Sequence, residues 1–269
     1  MEIYILFSGI MIFAFCAEFI DSSLGMGYGT TLTPVLLAMG FSASDVVPAV
    51  LLSELVTGFF SAFLFSKARI VNFDFQRDPA ISKRWGKFIY LPKSQDAKVV
   101  LLLSLCSIAG CVLSVLVAVN LSKFYLQMGI GVIVLGMGLF ILLKKSNLSA
   151  FSWWKILLLG GVAAFNKGIS GGGYGPLMTA GQVLCGSDTK NSIAITSFTE
   201  AFTCLIGLIT YFSLGKSIHW NLALFLLIGA VLSVPFAVYT IKRIEIKKFT
   251  TIVGIATLIL GSYTIIKTI

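Results

Sequence analysis

Two short stretches hold most of the groups in this chain that could bind or move charge inside apolar surroundings. The first reads Glu18-Phe-Ile-Asp21-Ser22-Ser23-Leu-Gly25-Met-Gly27-Tyr28-Gly29, and the second Ala164-Phe-Asn166-Lys167-Gly-Ile-Ser170-Gly171-Gly172-Gly173-Tyr174-Gly175, at a constant offset of 146 residues. Without a gap, the same offset pairs Gly40 with Gly186, Asp45 with Asn191, Thr57 with Thr203, and Ser53-Glu54 with Thr199-Glu200. Glycine tolerates positive φ and close backbone approach, so successive N–H groups can aim at one ligand. A helix that begins at such a break adds unpaired amides and the positive end of its dipole, and both favour an anion. Hydroxyl and amide donors stand beside each copy: Ser22, Ser23, Thr30 and Thr31 in one, Asn166, Ser170 and Thr179 in the other. The chemistry implied is recognition of a small oxyanion, with Gly25, Gly27, Gly29, Gly171, Gly172, Gly173 and Gly175 supplying backbone. The competing reading is that the glycines only let helices approach closely; the recurrence of Tyr-Gly at one offset favours the site.

Lys167 lies between apolar runs, where an ammonium is costly unless it is paired or functional. It reads as a counter-charge for a substrate anion or as half of a structural ion pair, with its symmetry equivalent Asp21 as the expected partner. Glu54 and Glu200 stand at equivalent points of two apolar runs, eight or nine residues from their starts. Intramembrane carboxyls commonly form proton relays, so Glu54, Glu200 and Asp21 are proton-coupling candidates, with a purely structural hydrogen-bonding role as the alternative. Glu18, near the end of the first run, reads as solvated. For Tyr28 and Tyr174, donation to a ligand and simple packing are equally open.

The elements that must position these groups are membrane spans. The chain is 57% hydrophobic and 12% charged, with mean hydropathy +0.97, against about 25% charged residues in soluble domains. Its apolar runs form two sets of five, at 2–20, 28–40, 46–66, 98–119 and 123–143, then 154–166, 174–186, 191–213, 219–241 and 248–268. The third to fifth of each set can cross a bilayer. The second of each is too short for the roughly 20 residues a span needs, and fits a half-helix or re-entrant piece entered through glycine. Such a break is tolerated only where protein or a polar cavity satisfies it. The fold expected is an all-α integral membrane protein of eight to ten segments. Residues 1–145 form the first five-element repeat and 146–269 the second, together making one transmembrane domain. The N-terminal run has no basic residues before it and carries part of the repeat, so it reads as the first span rather than a cleaved leader.

The basic residues decide orientation. Residues 67–98 carry Lys67, Arg69, Arg77, Lys83, Arg84, Lys87, Lys93 and Lys98 against Asp74, Asp78 and Asp96, which marks a cytoplasmic loop, as do Lys144-Lys145 to Lys155 and Lys242-Arg243-Glu245-Lys247-Lys248. The third run of the first half therefore ends inside, whereas that of the second half ends outside, near Lys216. This is an inverted repeat with both termini outside, an architecture of alternating-access carriers. The net charge of +9 is thereby explained by topology, and nucleic-acid binding is not expected.

The paired motifs Gly25-Met-Gly27-Tyr28-Gly29 and Gly171-Gly172-Gly173-Tyr174-Gly175-Pro176, within the duplicated apolar layout, resemble the TauE/SafE family of membrane anion exporters over nearly the whole chain. The resemblance implies transport of small sulfur oxyanions or organosulfonates such as sulfite and sulfoacetate, or of small carboxylates, across a bacterial inner membrane. The chain departs from the usual family pattern in its charged Asp21 and Lys167 and in Glu54 and Glu200, which leaves the exact substrate open.

Other features are plainer. Cys16, Cys106, Cys111, Cys185 and Cys204 all fall in apolar runs without CxxC spacing and read as buried and unpaired. His219, the single histidine, and Trp220 head a span, and Trp153-Trp154 read as an interfacial belt. Neither a zinc site nor a Ser-His-Asp triad is spelled out, so no metal, cofactor or enzymatic activity is expected. A secondary carrier for a small anion leads, with proton coupling through the carboxyls and a purely structural role for them both open; a passive anion channel is the alternative, and a membrane enzyme comes last. The partners expected are the anion, protons and the lipid bilayer; a homodimer is an assembly the sequence allows.

Overall fold

The computed structural model describes residues 2–77, 90–143, 152–185, 187–241 and 246–269. Ten helices are found among them: α1 Glu2–Leu24, α2 Tyr28–Ala38, α3 Ala43–Lys67, α4 Gln95–Asn120, α5 Lys123–Leu143, α6 Trp153–Ser170, α7 Tyr174–Leu184, α8 Thr189–Ser213, α9 Trp220–Thr240 and α10 Ile246–Thr268. These are two sets of five. The loop after α3 adds a small antiparallel ladder that the hydropathy pattern does not foretell, β1 Phe75–Arg77 on β2 Tyr90–Pro92, with Gln76 opposite Leu91. The basic residues Lys83, Arg84, Lys87, Lys144, Lys145, Lys242 and Arg243, and Gly186, lie outside the described residues.

Six helices are long and apolar enough to span a bilayer by themselves, within 7–24, 43–67, 95–120, 123–140, 189–213 and 220–240. Their outward surfaces are apolar, with Phe63, Leu158, Phe236 and Ile259 more than half exposed, while Glu18, Glu54, Ser53, Thr57, Lys167 and Glu200 are buried. An apolar exterior around a polar centre suits a protein surrounded by lipid. Helix starts follow ordinary capping: Ser42 accepts from Asp45 N at α3, Ser94 from Ala97 N at α4, and Asp188 from Lys190 N and Asn191 N at α8, each cap contributing about 1 kcal/mol. His219 caps α9 by accepting from Leu222 N at 3.3 Å. The five cysteines are all free thiols; Cys111, Cys185 and Cys204 are buried, but Cys16 is exposed and Cys106 half-buried, because these two lie on outer faces of α1 and α4.

The packing is symmetric under exchange of the halves. α1 packs on α9 and α6 on α4; α3 packs on α9 and α8 on α4; α3 meets α8, and α5 meets α10. Direction is set by side chains at helix ends. Phe41 and His219 bring the starts of α3 and α9 to one face, with ring centroids 6.3 Å apart. At the far end of α3, the Asp96 carboxylate accepts from Asn72 N at 3.1 Å and from Asn191 Nδ2 at 2.7 Å, so α4 and α8 start there. The end of α3 thus lies beside the start of α8, and the two helices run antiparallel.

Candidate functional site

The site is built on the two helix breaks. α1 ends as Gly25 N donates to Asp21 O, and α6 ends as Gly171 N donates to Lys167 O. Gly25 and Gly171 then take the same φ of 69°, with Gly27 at 134° and Gly173 at 78°. These left-handed values are the reason glycine is needed here. α2 and α7 begin at once, each 11 residues long, or about 16 Å, roughly half of a bilayer core.

The two breaks press against each other. A Cβ on Gly29 would overlap the carbonyl of Gly171, and one on Gly175 would overlap the carbonyl of Gly25. Close approach therefore accounts for Gly29, Gly172 and Gly175, whose neighbours are backbone of the opposite half. Most hydroxyls nearby are spent on the fold. Thr31 Oγ1 donates to Gly27 O at 2.6 Å and Thr30 Oγ1 to the same oxygen at 3.2 Å. Ser170 Oγ donates to Asn166 O at 2.8 Å and accepts from Gly172 N at 3.1 Å, while Thr179 Oγ1 donates to Gly25 O at 2.8 Å. Ser23 Oγ is buried with no partner. Tyr28 and Tyr174 are fully buried, and the Tyr28 hydroxyl pairs with Ser53 Oγ at 2.8 Å.

Charge gathers beneath the breaks. The Lys167 ammonium, wholly buried, forms ion pairs with Glu54 and with Glu200, the latter at 2.7 Å. Its carboxylate partners are therefore the symmetry-related glutamates of α3 and α8, not Asp21. The reason lies in α3 and α8 starting earlier than the apolar runs suggested. Each glutamate is the twelfth residue of a 25-residue helix, so both lie mid-span where the two helices cross. Asp21 instead caps the first half-helix, its Oδ1 accepting from Tyr28 N at 3.2 Å. Position 167 carries a cation that cannot make that bond, and no side chain of the N-cap residue caps the start of α7.

A small cavity opens onto this cluster, lined by Glu18, Asp21, Glu54, Thr57, Gly58, Ser61, Ser197 and Glu200. Its volume of about 10 Å³ admits about one water. Glu18 is buried, not solvated: α1 continues past it to Leu24, and its carboxylate accepts from Ser22 Oγ at 2.6 Å and Thr57 Oγ1 at 3.2 Å. Its spacing from Asp21 (one helical turn) was the available sign that both face one cavity. Thr57, Ser61 and Ser197 line the cavity as well, although hydropathy does not set them apart from the apolar residues around them. Four carboxyl groups thus line one cavity beside a single ammonium that pairs with two of them, and Glu54 Oε1 has no partner. Low-dielectric surroundings do not hold three uncompensated negative charges. No group of three His, Cys, Asp or Glu among the described residues is disposed to hold a metal ion.

The family model described as sulfite exporter TauE/SafE matches residues 10–77 and 85–264. A probable membrane transporter protein of Bacillus subtilis (strain 168), YtnM, is 25% identical over 272 residues, covering 96% of this chain and 83% of that protein. No solved structure matches the chain.

Proposed function

The chain belongs to the TauE/SafE sulfite exporter family of membrane transporters, and on that premise we propose that it is a proton-coupled secondary carrier for a small anion, a sulfur oxyanion, organosulfonate or carboxylate, working by alternating access. The observation that carries this reading is Lys167, held between Glu54 and Glu200 one turn before the glycine break that ends α6. In the first half, the Asp21 carboxylate sits on the opening amide of α2. In the second half the equivalent position is a cation, so a substrate carboxylate or sulfonate can take beside Lys167 and the α7 amides the place that Asp21 takes at α2. Helix dipole and ammonium act together there.

Coupling follows from competition. While Glu54 and Glu200 are ionised they occupy the ammonium. Protons delivered to them free Lys167 for the anion, so anion and protons load together and the site's net charge changes little. The antiparallel crossing of α3 and α8 lets the same cluster face either side in turn. The TauE/SafE resemblance favours export, with residues 67–98 cytoplasmic and both termini outside. A passive channel needs a continuous pore, and the water-sized cavity beneath opposed glycine breaks favours an occluded carrier instead.

The test is counterflow in liposomes with labelled sulfite and sulfoacetate. The expected result is saturable uptake accelerated by anion on the far side and driven by a pH gradient. Glu54→Gln and Glu200→Gln should abolish pH-driven accumulation and retain exchange. Flux that neither saturates nor shows counterflow would replace the carrier with a channel.

A further inference from the structure

A second cavity, of about 190 Å³, lies where the end of α2, the start of α5 and the end of α10 meet. Its polar lining comes from Lys123, Gln127, Tyr263, Thr264, Lys267 and Thr268, and no carboxylate faces it. Lys267 Nζ donates to Leu37 O at 3.5 Å and to Ala38 O, the last carbonyls of α2. An ammonium has three protons, so one remains for the cavity. Lys123, Gln127 and Tyr263 make no hydrogen bond or ion pair among the described residues.

Two ammonium groups, an amide and a phenol therefore converge on a space the size of a small organic anion. We propose that this cavity is a second anion-binding site, for a small oxyanion whose carboxylate, sulfonate or phosphate group bridges Lys123 and Lys267 and accepts from Tyr263 and Gln127. A single ammonium would bind such a group weakly, whereas paired cations with neutral donors hold it in a defined orientation. The bound anion competes with the carbonyls of Leu37 and Ala38 for Lys267 and loosens the C-terminal cap of the half-helix whose other end Asp21 holds. Only this link to α2 rests on the carrier reading. The ligand is either a soluble anion reaching the carrier's face or the phosphate of an anionic lipid.

Two measurements separate the sources. Calorimetric titration of the protein in neutral detergent uses sulfoacetate as the probe, and native mass spectrometry after release from phosphatidylglycerol nanodiscs counts retained lipid. For a soluble ligand, Lys123→Gln and Tyr263→Phe each weaken one sulfoacetate binding event about tenfold, the low end for a hydrogen bond to a charged group, with lipid retention unchanged. For a lipid ligand, the same variants lose retained phosphatidylglycerol and leave the titration as it was. Lys123 and Tyr263 are both exposed, so both variants should fold. Titration reads binding without flux, so a carrier that fails to transport is told apart from a cavity that fails to bind. If neither titration nor lipid retention changes in either variant, the site does not exist.

Discussion

Gly29 has no room for a Cβ because the carbonyl of Gly171 stands there, and the same relation recurs with the halves exchanged, between Gly175 and the carbonyl of Gly25. The two helix breaks are thus one structure, packed backbone to backbone. Beneath that contact Lys167 ties α6 to α3 and α8 at once.

Gly29→Ala and Gly175→Ala should each lower stability by at least the 1–3 kcal/mol typical of overpacking, because backbone of the opposite half must move. Gly136, inside α5, has nothing within 4 Å of an added Cβ, so Gly136→Ala should be neutral or stabilising by about 0.5–1 kcal/mol. Thermal midpoints in detergent measure the contrast. Equal midpoints for all three variants would mean that the breaks do not touch.

Lys167→Met leaves Glu54 and Glu200 facing one another without a cation. Breaking a buried pair in this way costs about 3–5 kcal/mol. Adding Glu54→Gln and Glu200→Gln should restore the thermal midpoint but not anion binding, measured by titration. Anion affinity at the wild-type level in the triple variant would remove Lys167 as counter-charge and leave the α7 amides to hold the anion alone.

Asp21 holds its carboxylate at the first amide of the half-helix α2. Asp21→Asn keeps an oxygen to accept from Tyr28 N and should change stability little. Asp21→Leu loses the cap and should cost about 0.5–2 kcal/mol. If Asp21→Leu proves as stable as Asp21→Asn, the bond to Tyr28 contributes nothing to stability.

Antiparallel α3 and α8 fix which loops share a side. With the five native cysteines replaced, Lys93→Cys and Lys216→Cys should react with a membrane-impermeant thiol reagent from opposite sides of the membrane, Lys93→Cys from the cytoplasm. Reaction of both from one side would contradict the inverted arrangement.

Much of this was legible in the residues. The apolar runs, the 146-residue offset and the positive-φ glycines follow from local chemistry: hydrophobicity over about 20 residues specifies a span, and only glycine readily takes the break conformation. The runs located the ten helices found among the described residues, and the Asp96–Asn191 contact sets the start of α8 beside the start of α4.

Partnership was not legible. Lys167 and Asp21 are equivalent by repeat, so sequence symmetry offers them to each other, yet Lys167 lies between Glu54 and Glu200 while Asp21 turns to Tyr28 N. Glu18 read as solvated because where a helix ends cannot be judged from hydropathy when a polar turn continues it; α1 runs on to Leu24 and buries it. Nor could the sequence show that the glycines spend themselves on each other. Repeats and breaks are properties of consecutive residues, fixed by local backbone sterics and by transfer into lipid. Which charge meets which depends on how α3 and α8 cross, and that is decided only when both halves pack together.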